Sequence, residues 1–200
     1  QETAPEITPP PASIAEVAAS ELPPHPTSDA RTIGTFLDLC SGCGGLALAA
    51  TNCGLSPMAL VESNERCVRT LRANNFDHVL HADIRSTDFR QFRGIDVLTA
   101  GLPCQPWSVG GLAVGVDDDR NLWLEACRAI EESEPRAFLL EMVDGFLRPK
   151  FAPFVDAVLA RLTDAGYTVS VRRANLQDYG PAQTRKRCLI LGHRKPGELL

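Results

Sequence analysis

Apolar runs and segments with apolar residues at helical spacing alternate along this chain from Thr35 to Gly192. A short bounded apolar run is typical of a buried strand, and apolar residues three to four positions apart are typical of an amphipathic helix. The pattern predicts strands over residues 35–39, 58–62, 78–82, 97–100, 137–141, 168–174 and 188–192. It predicts helices over residues 45–53, 66–74, 122–130 and 151–165. This alternation indicates an α/β fold, with a doubly wound, mostly parallel sheet covered by helices on both faces.

The first 30 residues differ in composition from the rest, because they contain seven prolines. Such a composition is typical of a linker or tail. Residues 12–22 depart from it, since their apolar side chains recur at helical spacing after a proline and predict a short helix. We therefore expect a proline-rich leader over residues 1–30 and one folded domain over residues 31–200.

The 200-residue chain has a formal net charge of −5 and seven cysteines. The negative charge does not favour nucleic-acid binding, so contact with a polyanion would need a local basic patch. An odd number of irregularly spaced cysteines indicates reduced thiols rather than a disulfide framework. Cys40 and Cys43 form a CxxC pair without a second pair, so we expect no metal site. No run of 18 apolar residues and no signal peptide is evident, and we expect a cytoplasmic protein.

A cysteine stands between two prolines after the apolar run at residues 95–100, in the sequence Pro103-Cys104-Gln105-Pro106. Proline fixes its own φ and restricts the residue before it, so this loop is stiff. A stiff loop at a strand end can hold a reactive thiol, whereas a free cysteine is usually a small buried hydrophobe. On this segment alone, both interpretations of Cys104 remain open.

Three successive predicted strands end in residues that suit an adenosine-containing cofactor. The first runs into the glycine-rich turn at residues 41–45, where the backbone can approach a ligand closely. Glu62 ends the second, where a carboxylate can accept hydrogen bonds from two ribose hydroxyls. Asp83 ends the third, where it can accept from an adenine amino group while Ile84 packs on the ring. Each acid alone is also consistent with a helix N-cap or a surface charge, so the series carries the prediction.

Two further charged features stand at the ends of predicted strands. Glu141 closes an apolar strand, a position that faces the crevice of an α/β sheet. The densest basic cluster of the chain, Gln183-Thr184-Arg185-Lys186-Arg187, directly precedes the last strand. Alternation places Arg185 and Arg187 on one side and Lys186 on the other. A solvated basic edge would explain the cluster by itself, but its place at a strand start favours contact with an anion.

In this order the motifs resemble those of the cytosine-C5 DNA methyltransferase family, over residues 35 to about 192. The matching features are the glycine loop, Glu62, Asp83, the Cys104 loop, Asp119-Arg120, Glu141, Asp178-Tyr179-Gly180 and Gln183-x-Arg185-x-Arg187. The resemblance implies the Rossmann-like fold of S-adenosylmethionine-dependent methyltransferases, S-adenosylmethionine as methyl donor, no metal, and double-stranded DNA as partner. It implies methylation at C5 of a cytosine that leaves the duplex.

The resemblance also assigns roles to residues by their position in the motifs. Cys104 would add to C6 of the base as a thiolate, and Glu141 would hold and protonate N3. Arg185 would contact the base carbonyl, and Arg187 would support the site and a nearby phosphate. The implied substrate-binding residues are Gln105, Ser108 and Gln183. The implied cofactor-binding residues are Asp38, Cys40, Ser41, Gly42, Gly44, Gly45, Glu62, Ser63, Asp83, Ile84 and Pro103.

Three positions depart from the family pattern. Cys40 and Ser63 stand where the family has aromatic residues, and Met142 stands where it has asparagine. The separate target-recognition domain that follows the Gln-x-Arg-x-Arg strand in the family is not evident. The segment Ile7-Thr8-Pro9-Pro10 with the helix at 12–22 resembles the cofactor-closing element that permuted members carry at this end. We therefore expect a recognition segment from elsewhere, either in cis or on a partner chain.

Two other functions remain open. A tRNA-directed member of the same family is one, although Gln105 and Pro106 after Cys104 favour DNA. A non-catalytic partner of another methyltransferase subunit is the second. The altered cofactor pocket and the missing recognition domain favour it, whereas the presence of Cys104, Glu141 and Arg185 speaks against it.

Overall fold

A computed structural model describes residues 32–104 and 121–194. The helix predicted over residues 12–22 lies outside these ranges, as do Gln105 and Ser108. The strands are β1 Gly34–Leu39, β2 Leu55–Glu62, β3 Val79–His81, β4 Val97–Gly101, β5 Ala137–Val143, β6 Tyr167–Asn175 and β7 Lys186–Arg194. The helices are α1 Gly45–Asn52, α2 Glu65–Ala73, α3 Trp123–Ser133 and α4 Ala152–Asp164. Every strand and helix predicted within the described ranges is present, with ends shifted by up to three residues.

The seven strands form one sheet in the order β3-β2-β1-β4-β5-β7-β6. Strands β1 to β5 pair in parallel, which confirms the doubly wound, mostly parallel architecture. The strand order reverses between β1 and β4, and such a switch point opens a crevice at the carboxyl ends of the strands. The glycine-rich turn follows β1 and the Cys104 loop follows β4, so both border this crevice.

The last strand runs against the others. β7 lies between β5 and β6 and is antiparallel to both. It therefore begins at the edge of the sheet where β5 ends, and Arg187 pairs with Val143. This direction, which the residue pattern does not reveal, explains how a motif before a strand reaches the same edge as motifs that follow strands.

β2 begins three residues before the predicted position, at Leu55. The prediction started the strand after Pro57, because proline cannot donate a ladder hydrogen bond. In the structure Phe36 pairs with Pro57 and Leu37 with Ala59, so Met58 is an extra residue in β2. This irregularity accommodates the proline within the strand.

The core is unequal on the two faces of the sheet. The larger part packs one face against α3 and α4, where Trp123, Ile130, Val158 and Leu162 are at most 2% exposed. The indole of Trp123 stacks on Phe146 with ring centroids 4.4 Å apart. The smaller part lies under α1 and α2 and consists of Phe36, Ala47, Ala50, Leu60 and Leu71.

Among the described residues, no helix is long and apolar enough to cross a membrane.

Candidate functional site

The turn after β1 has an unusual backbone. Cys40, Gly42 and Gly44 all have positive φ angles, at 53°, 55° and 92°. A Cβ on Gly44 would lie 2.8 Å from the Leu71 side chain, so this glycine is required for packing as well as for its φ. A Cβ on Gly42 would meet only one atom, at 4.0 Å, and one on Gly45 would meet nothing within 4 Å. The backbone is therefore open to a ligand above Gly42 and Gly45.

Glu62 holds this turn in place. Its Oε2 accepts a hydrogen bond from the Gly42 N–H at 2.7 Å, and its Oε1 accepts one from the Asn64 N–H, also at 2.7 Å. Asn64 in turn caps α2 by accepting from the Arg66 N–H. Each carboxylate oxygen has a second lone pair, so Glu62 can still accept from an external hydroxyl. The predicted ribose contact thus stays a prediction, and the structure adds a local role for the same side chain.

Asp38 lies beneath the turn and is fully buried. Its Oδ1 accepts from the Thr99 hydroxyl at 2.5 Å across the β1–β4 pair, whereas its Oδ2 has no hydrogen-bond partner. Burial raises the pKa of Asp38 from 3.8 to about 6, although the hydrogen bond from Thr99 opposes the shift. A buried carboxylate oxygen without a partner is a feature that a bound ligand can explain.

Three acids surround the half-buried thiol of Cys40. Burial raises its pKa from 9.0 to about 12, and the nearby charges of Glu62, Asp38 and Asp83 raise it further in that order. The Cys40 thiol is therefore neutral at physiological pH and is excluded as a nucleophile. Glu62 and Asp38 give this half of the crevice a negative potential, which favours a cationic ligand, whereas the Arg85 guanidinium balances the charge of Asp83.

The Asp83 loop is engaged within the protein. The Asp83 carboxylate caps the turn at Ile84–Ser86 and pairs with the Arg85 guanidinium at 2.7 Å. Hydrogen bonds from Arg85 hold the pKa of Asp83 below its usual 3.8. Ile84 is 3% exposed and packs in the larger core, so its contact with an adenine ring stays a prediction. Ser63 is exposed, and its carbonyl lies 3.1 Å from the Nε2 of His81.

A residue that the sequence pattern did not single out positions this loop. The Arg128 guanidinium of α3 donates to the carbonyls of Ile84 at 2.6 Å and Thr87 at 3.0 Å. It also pairs with Glu132, whose carboxylate accepts from the Phe89 N–H at 2.9 Å. The spacing of Arg128 and Glu132 predicts a surface ion pair along the helix. Their bonds to residues more than 40 positions away have no signal in the sequence.

The Cys104 loop leaves the sheet beside Glu141. β4 ends at Gly101, which pairs directly with Glu141 of β5. Leu102 is buried, and Pro103 and Cys104 are half-buried at the start of the loop.

Two other buried thiols do not ionise at neutral pH, because burial raises the pKa values of Cys127 and Cys188 to about 11. Among the described residues, no group of three or more potential ligands could hold a metal ion.

Glu141 and Arg187 form an ion pair across β5 and β7. The Arg187 Nε lies 2.5 Å from the Glu141 Oε1, and both side chains are largely buried, with 28% of Glu141 and 18% of Arg187 exposed. Arg185 and Gln183 are exposed. The Arg185 backbone N–H donates to the Asn175 side chain at 3.0 Å, which fixes the segment before β7 while its side chain remains accessible. The structure thus brings Glu141 and Arg187 together and leaves Arg185 directed to solvent.

Comparisons with known proteins identify the family. A family model described as C-5 cytosine-specific DNA methylase matches residues 34–199. Type II methyltransferase M.NgoMIV of Neisseria gonorrhoeae is 37% identical over 158 residues, which are 78% of this chain and 51% of that protein. M.NgoPII from the same organism is 36% identical over 82% of this chain and 49% of its own length. This chain spans about half the length of these two relatives.

Solved structures give the same fold. A prophage-encoded candidate DNA modification methyltransferase of Escherichia coli superposes with a TM-score of 0.68 and 26% identity, over 80% of this chain and 46% of that one. The S. pombe Dnmt2 methyltransferase superposes with a TM-score of 0.65 and 21% identity, over 80% of this chain and 51% of that one. The fold is therefore the Rossmann-like fold of S-adenosylmethionine-dependent methyltransferases.

Proposed function

This chain belongs to the C-5 cytosine-specific DNA methylase family, and we propose that it methylates C5 of cytosine in double-stranded DNA. The observation that carries the proposal is the ion pair between Glu141 and Arg187 at the carboxyl edge of the sheet. That pair stands directly beside the end of β4, three residues before Cys104. A carboxyl group, a guanidinium and a thiol at one edge are the groups that this reaction requires.

The residues around the glycine turn fit S-adenosylmethionine. This cofactor carries a positive sulfonium and a positive ammonium group, and Asp38 and Glu62 give the turn a negative potential. The unpartnered Oδ2 of Asp38 and the open backbone above Gly42 and Gly45 suit a ligand that lies over the turn. When bound, S-adenosylmethionine supplies a methyl group on a sulfonium, which is electrophilic towards a carbon nucleophile.

Cys104 supplies the nucleophile in the proposed reaction. Its thiolate adds to C6 of cytosine, a bond forms between sulfur and C6, and the C5–C6 double bond opens to give an enamine with a nucleophilic C5. Glu141 takes up the proton released when the Cys104 thiol ionises and passes it to N3 as the adduct forms, so negative charge does not build up on the ring. After methylation, the C5 proton passes to water, the N3 proton returns to Glu141, and cleavage of the bond between sulfur and C6 releases the thiolate and restores the aromatic base.

The two arginines act on the same base. Arg187 holds the Glu141 carboxyl group in place through its ion pair. Arg185 is free to reach the base carbonyl, because its side chain is exposed while its backbone is fixed by Asn175. The target base must leave the duplex to reach this crevice, because a stacked base presents its C6 atom to no group at the sheet edge.

Covalent trapping tests the proposal. DNA that contains 5-fluorocytosine stops the reaction after methylation, because C5 then carries a fluorine in place of the hydrogen that must be removed as a proton. With S-adenosylmethionine and such DNA at high concentration, we expect an adduct that survives denaturing electrophoresis. Cys104→Ser should form none, whereas Cys53→Ser, which changes an exposed thiol at the end of α1, should form it like the unchanged chain.

Three outcomes would change the conclusion. An adduct that persists in Cys104→Ser would remove this thiol as the nucleophile. An adduct on fluorocytosine tRNA but not on DNA would favour the tRNA-directed function. Cofactor binding without an adduct on either nucleic acid would favour a non-catalytic partner subunit.

A further inference from the structure

A cavity of about 400 Å³ opens at the carboxyl end of β5, on walls that do not include Glu141 or Arg187. One wall is the segment of residues 143–149 that follows β5, and the other comes from β6 and the start of β7. The lining residues are Val143, Asp144, Gly145, Leu147, Arg148, Pro149, Arg173 and Lys186. The reaction proposed above assigns no role to any of them.

The cavity is positively charged. Its lining includes three cations, Arg148, Arg173 and Lys186, and one carboxylate, that of Asp144. Asp144 pairs with Arg173 at 2.8 Å, whereas neither Arg148 nor Lys186 has an ion-pair partner among the residues that the structure describes. Three positive charges and one negative charge leave two positive charges in excess. In a chain of net charge −5, this local excess marks a site for an anion.

The cavity lies at the end of the sheet edge that carries the Glu141–Arg187 pair, and Val143 of its lining pairs directly with Arg187. Cys188 is buried in the core under α4, and Lys186 shares its face because it lies two residues earlier in β7. Arg173 of β6 pairs directly with Cys188 and shares this face too. Arg187 lies between them and faces the other way, towards Glu141. One step along the strand, about 3.3 Å, therefore separates the two backbone positions.

We propose that this cavity binds a phosphate group of the DNA strand that carries the target cytosine, an inference that rests on the proposed function. The cavity borders the crevice that would take the base, because its lining residue Val143 pairs with Arg187, so a phosphate adjoining that base would lie within reach of the cavity. Arginine matches the oxygens of a phosphate with its fork of N–H donors, and lysine adds a point charge.

Asp144 makes the proposal testable in two directions. Its carboxylate holds Arg173 over the cavity and at the same time repels a phosphate. Removal of a cation should therefore weaken DNA binding, whereas removal of the Asp144 charge should strengthen it. A role limited to folding would lower DNA affinity in both kinds of variant, or in neither.

The experiment measures binding of the full chain to duplex DNA by fluorescence anisotropy between 50 and 200 mM salt. Arg148→Gln and Lys186→Gln should each weaken binding about fivefold, as expected for one exposed charge pair. Each should also reduce the slope of log K against log salt by about 0.9. Asp144→Asn should bind about two- to fivefold more tightly. Arg72→Gln is the matched control, because it removes one exposed charge from the far end of α2. Its DNA affinity should change only slightly.

Thermal denaturation confirms that each variant is folded before its affinity is compared. The proposal is overturned if Arg148→Gln and Lys186→Gln bind like Arg72→Gln, or if Asp144→Asn weakens binding. Trapping on fluorocytosine DNA keeps this result apart from the proposed function. If the chain forms the adduct but the cavity variants bind DNA with unchanged affinity, only the phosphate site is rejected. If the variants show the expected order of DNA affinities but the chain forms no adduct, the result supports the phosphate site and rejects the methylation of cytosine.

Discussion

The two halves of the sheet's carboxyl edge use charge in opposite ways. Over β1 to β3 the charged groups are acids, and Glu62 and Asp83 bind backbone N–H groups and Arg85 within the protein. Over β5 to β7 they are mostly cations, and Arg148, Arg185 and Lys186 have no ion-pair partner in the described part of the chain. The first half uses its charge to shape a loop, whereas the second also carries cations that pair with no described carboxylate.

This difference matches the ligands that we propose. A small cofactor needs a preformed and rigid pocket, so the acids first fix the backbone and then offer their remaining lone pairs. DNA is large and carries its own regular charges, so cations that stay accessible can meet it without a rigid pocket. The net charge of −5 conceals this arrangement, because it sums two regions of opposite sign.

The largest expected effect separates chemistry from cofactor binding. Glu141→Gln cannot donate a proton to N3 and should lower kcat by about 10²- to 10⁴-fold. Cofactor affinity, measured by calorimetry, should not change, because Glu141 lies in the cationic half. Glu131→Gln is the control, since it breaks an ion pair with Arg161 that lies away from the edge. Equal activity of Glu141→Gln and the unchanged chain would refute the assigned role.

The second prediction tests the double role of Glu62. Glu62→Ala leaves the N–H groups of Gly42 and Asn64 without acceptors, which should cost about 1–3 kcal/mol of folding free energy for each group that stays buried. S-adenosylmethionine affinity should fall at least about tenfold, or roughly 1.4 kcal/mol. Calorimetry and chemical denaturation measure the two losses. Glu65→Ala, at an exposed position three residues later, should show neither. A stable variant with normal affinity would contradict both roles.

The fold was predictable because its signals are local. Most strands are short apolar runs between polar or glycine residues, β6 alternates apolar and polar residues, and the helices carry apolar residues at helical spacing, so no long-range information was needed. The direction of β7 has no such signal, since an antiparallel strand reads like a parallel one. The short turns at Ile84–Ser86 and Asp144–Leu147 escaped prediction for a related reason, because three or four residues are too few to show a period.

The sequence indicated where the candidate site residues lie wherever a motif is contiguous, and it gave no signal for contacts between residues far apart in the chain. The glycine turn, Glu62, Cys104 and Glu141 stand at strand ends, and strand ends meet at one edge in a parallel sheet. The bonds of Arg128 to Ile84 and Thr87, and the contact of Thr99 with Asp38, join residues 41 to 61 positions apart. Only the folded structure brings such residues together.

The third prediction concerns pH and Asp38. Its pKa is about 6 in the folded state, against an ordinary value of 3.8 for an exposed aspartate, so the folded state binds this proton more tightly. The resulting stability is fully present below about pH 3.8 and is lost as the pH rises through 6. The loss approaches about 3 kcal/mol, at 1.36 kcal/mol for each unit of pKa. Asp38→Asn does not titrate, so its stability relative to the unchanged chain should increase by up to that amount between about pH 4 and pH 7.5.

Chemical denaturation of both proteins at about pH 4, 5.5 and 7.5 measures this difference. The other titrating groups are present in both proteins, so their contributions to stability cancel in the difference between the two. Asp156→Asn, on the exposed face of α4, should show a constant difference over the same range. A constant difference for Asp38→Asn as well would mean that its carboxyl group is not held as the structure indicates.

The smallest expected effect tests whether Arg128 positions the cofactor half from outside it. Arg128→Met keeps the apolar stem and removes the bonds to Ile84 and Thr87. We expect a loss of about 1–3 kcal/mol of stability, because those carbonyls lose a charged donor. Cofactor affinity should fall about fivefold, or roughly 1 kcal/mol, since the Asp83 loop is no longer fixed. Arg161→Met removes a comparable ion pair on α4 that does not touch this loop, so it should lower stability without changing affinity. If both variants lose stability and neither loses affinity, Arg128 supports the fold alone. A loss of affinity confined to Arg128→Met would show that the rigid half of the edge depends on a helix beneath it.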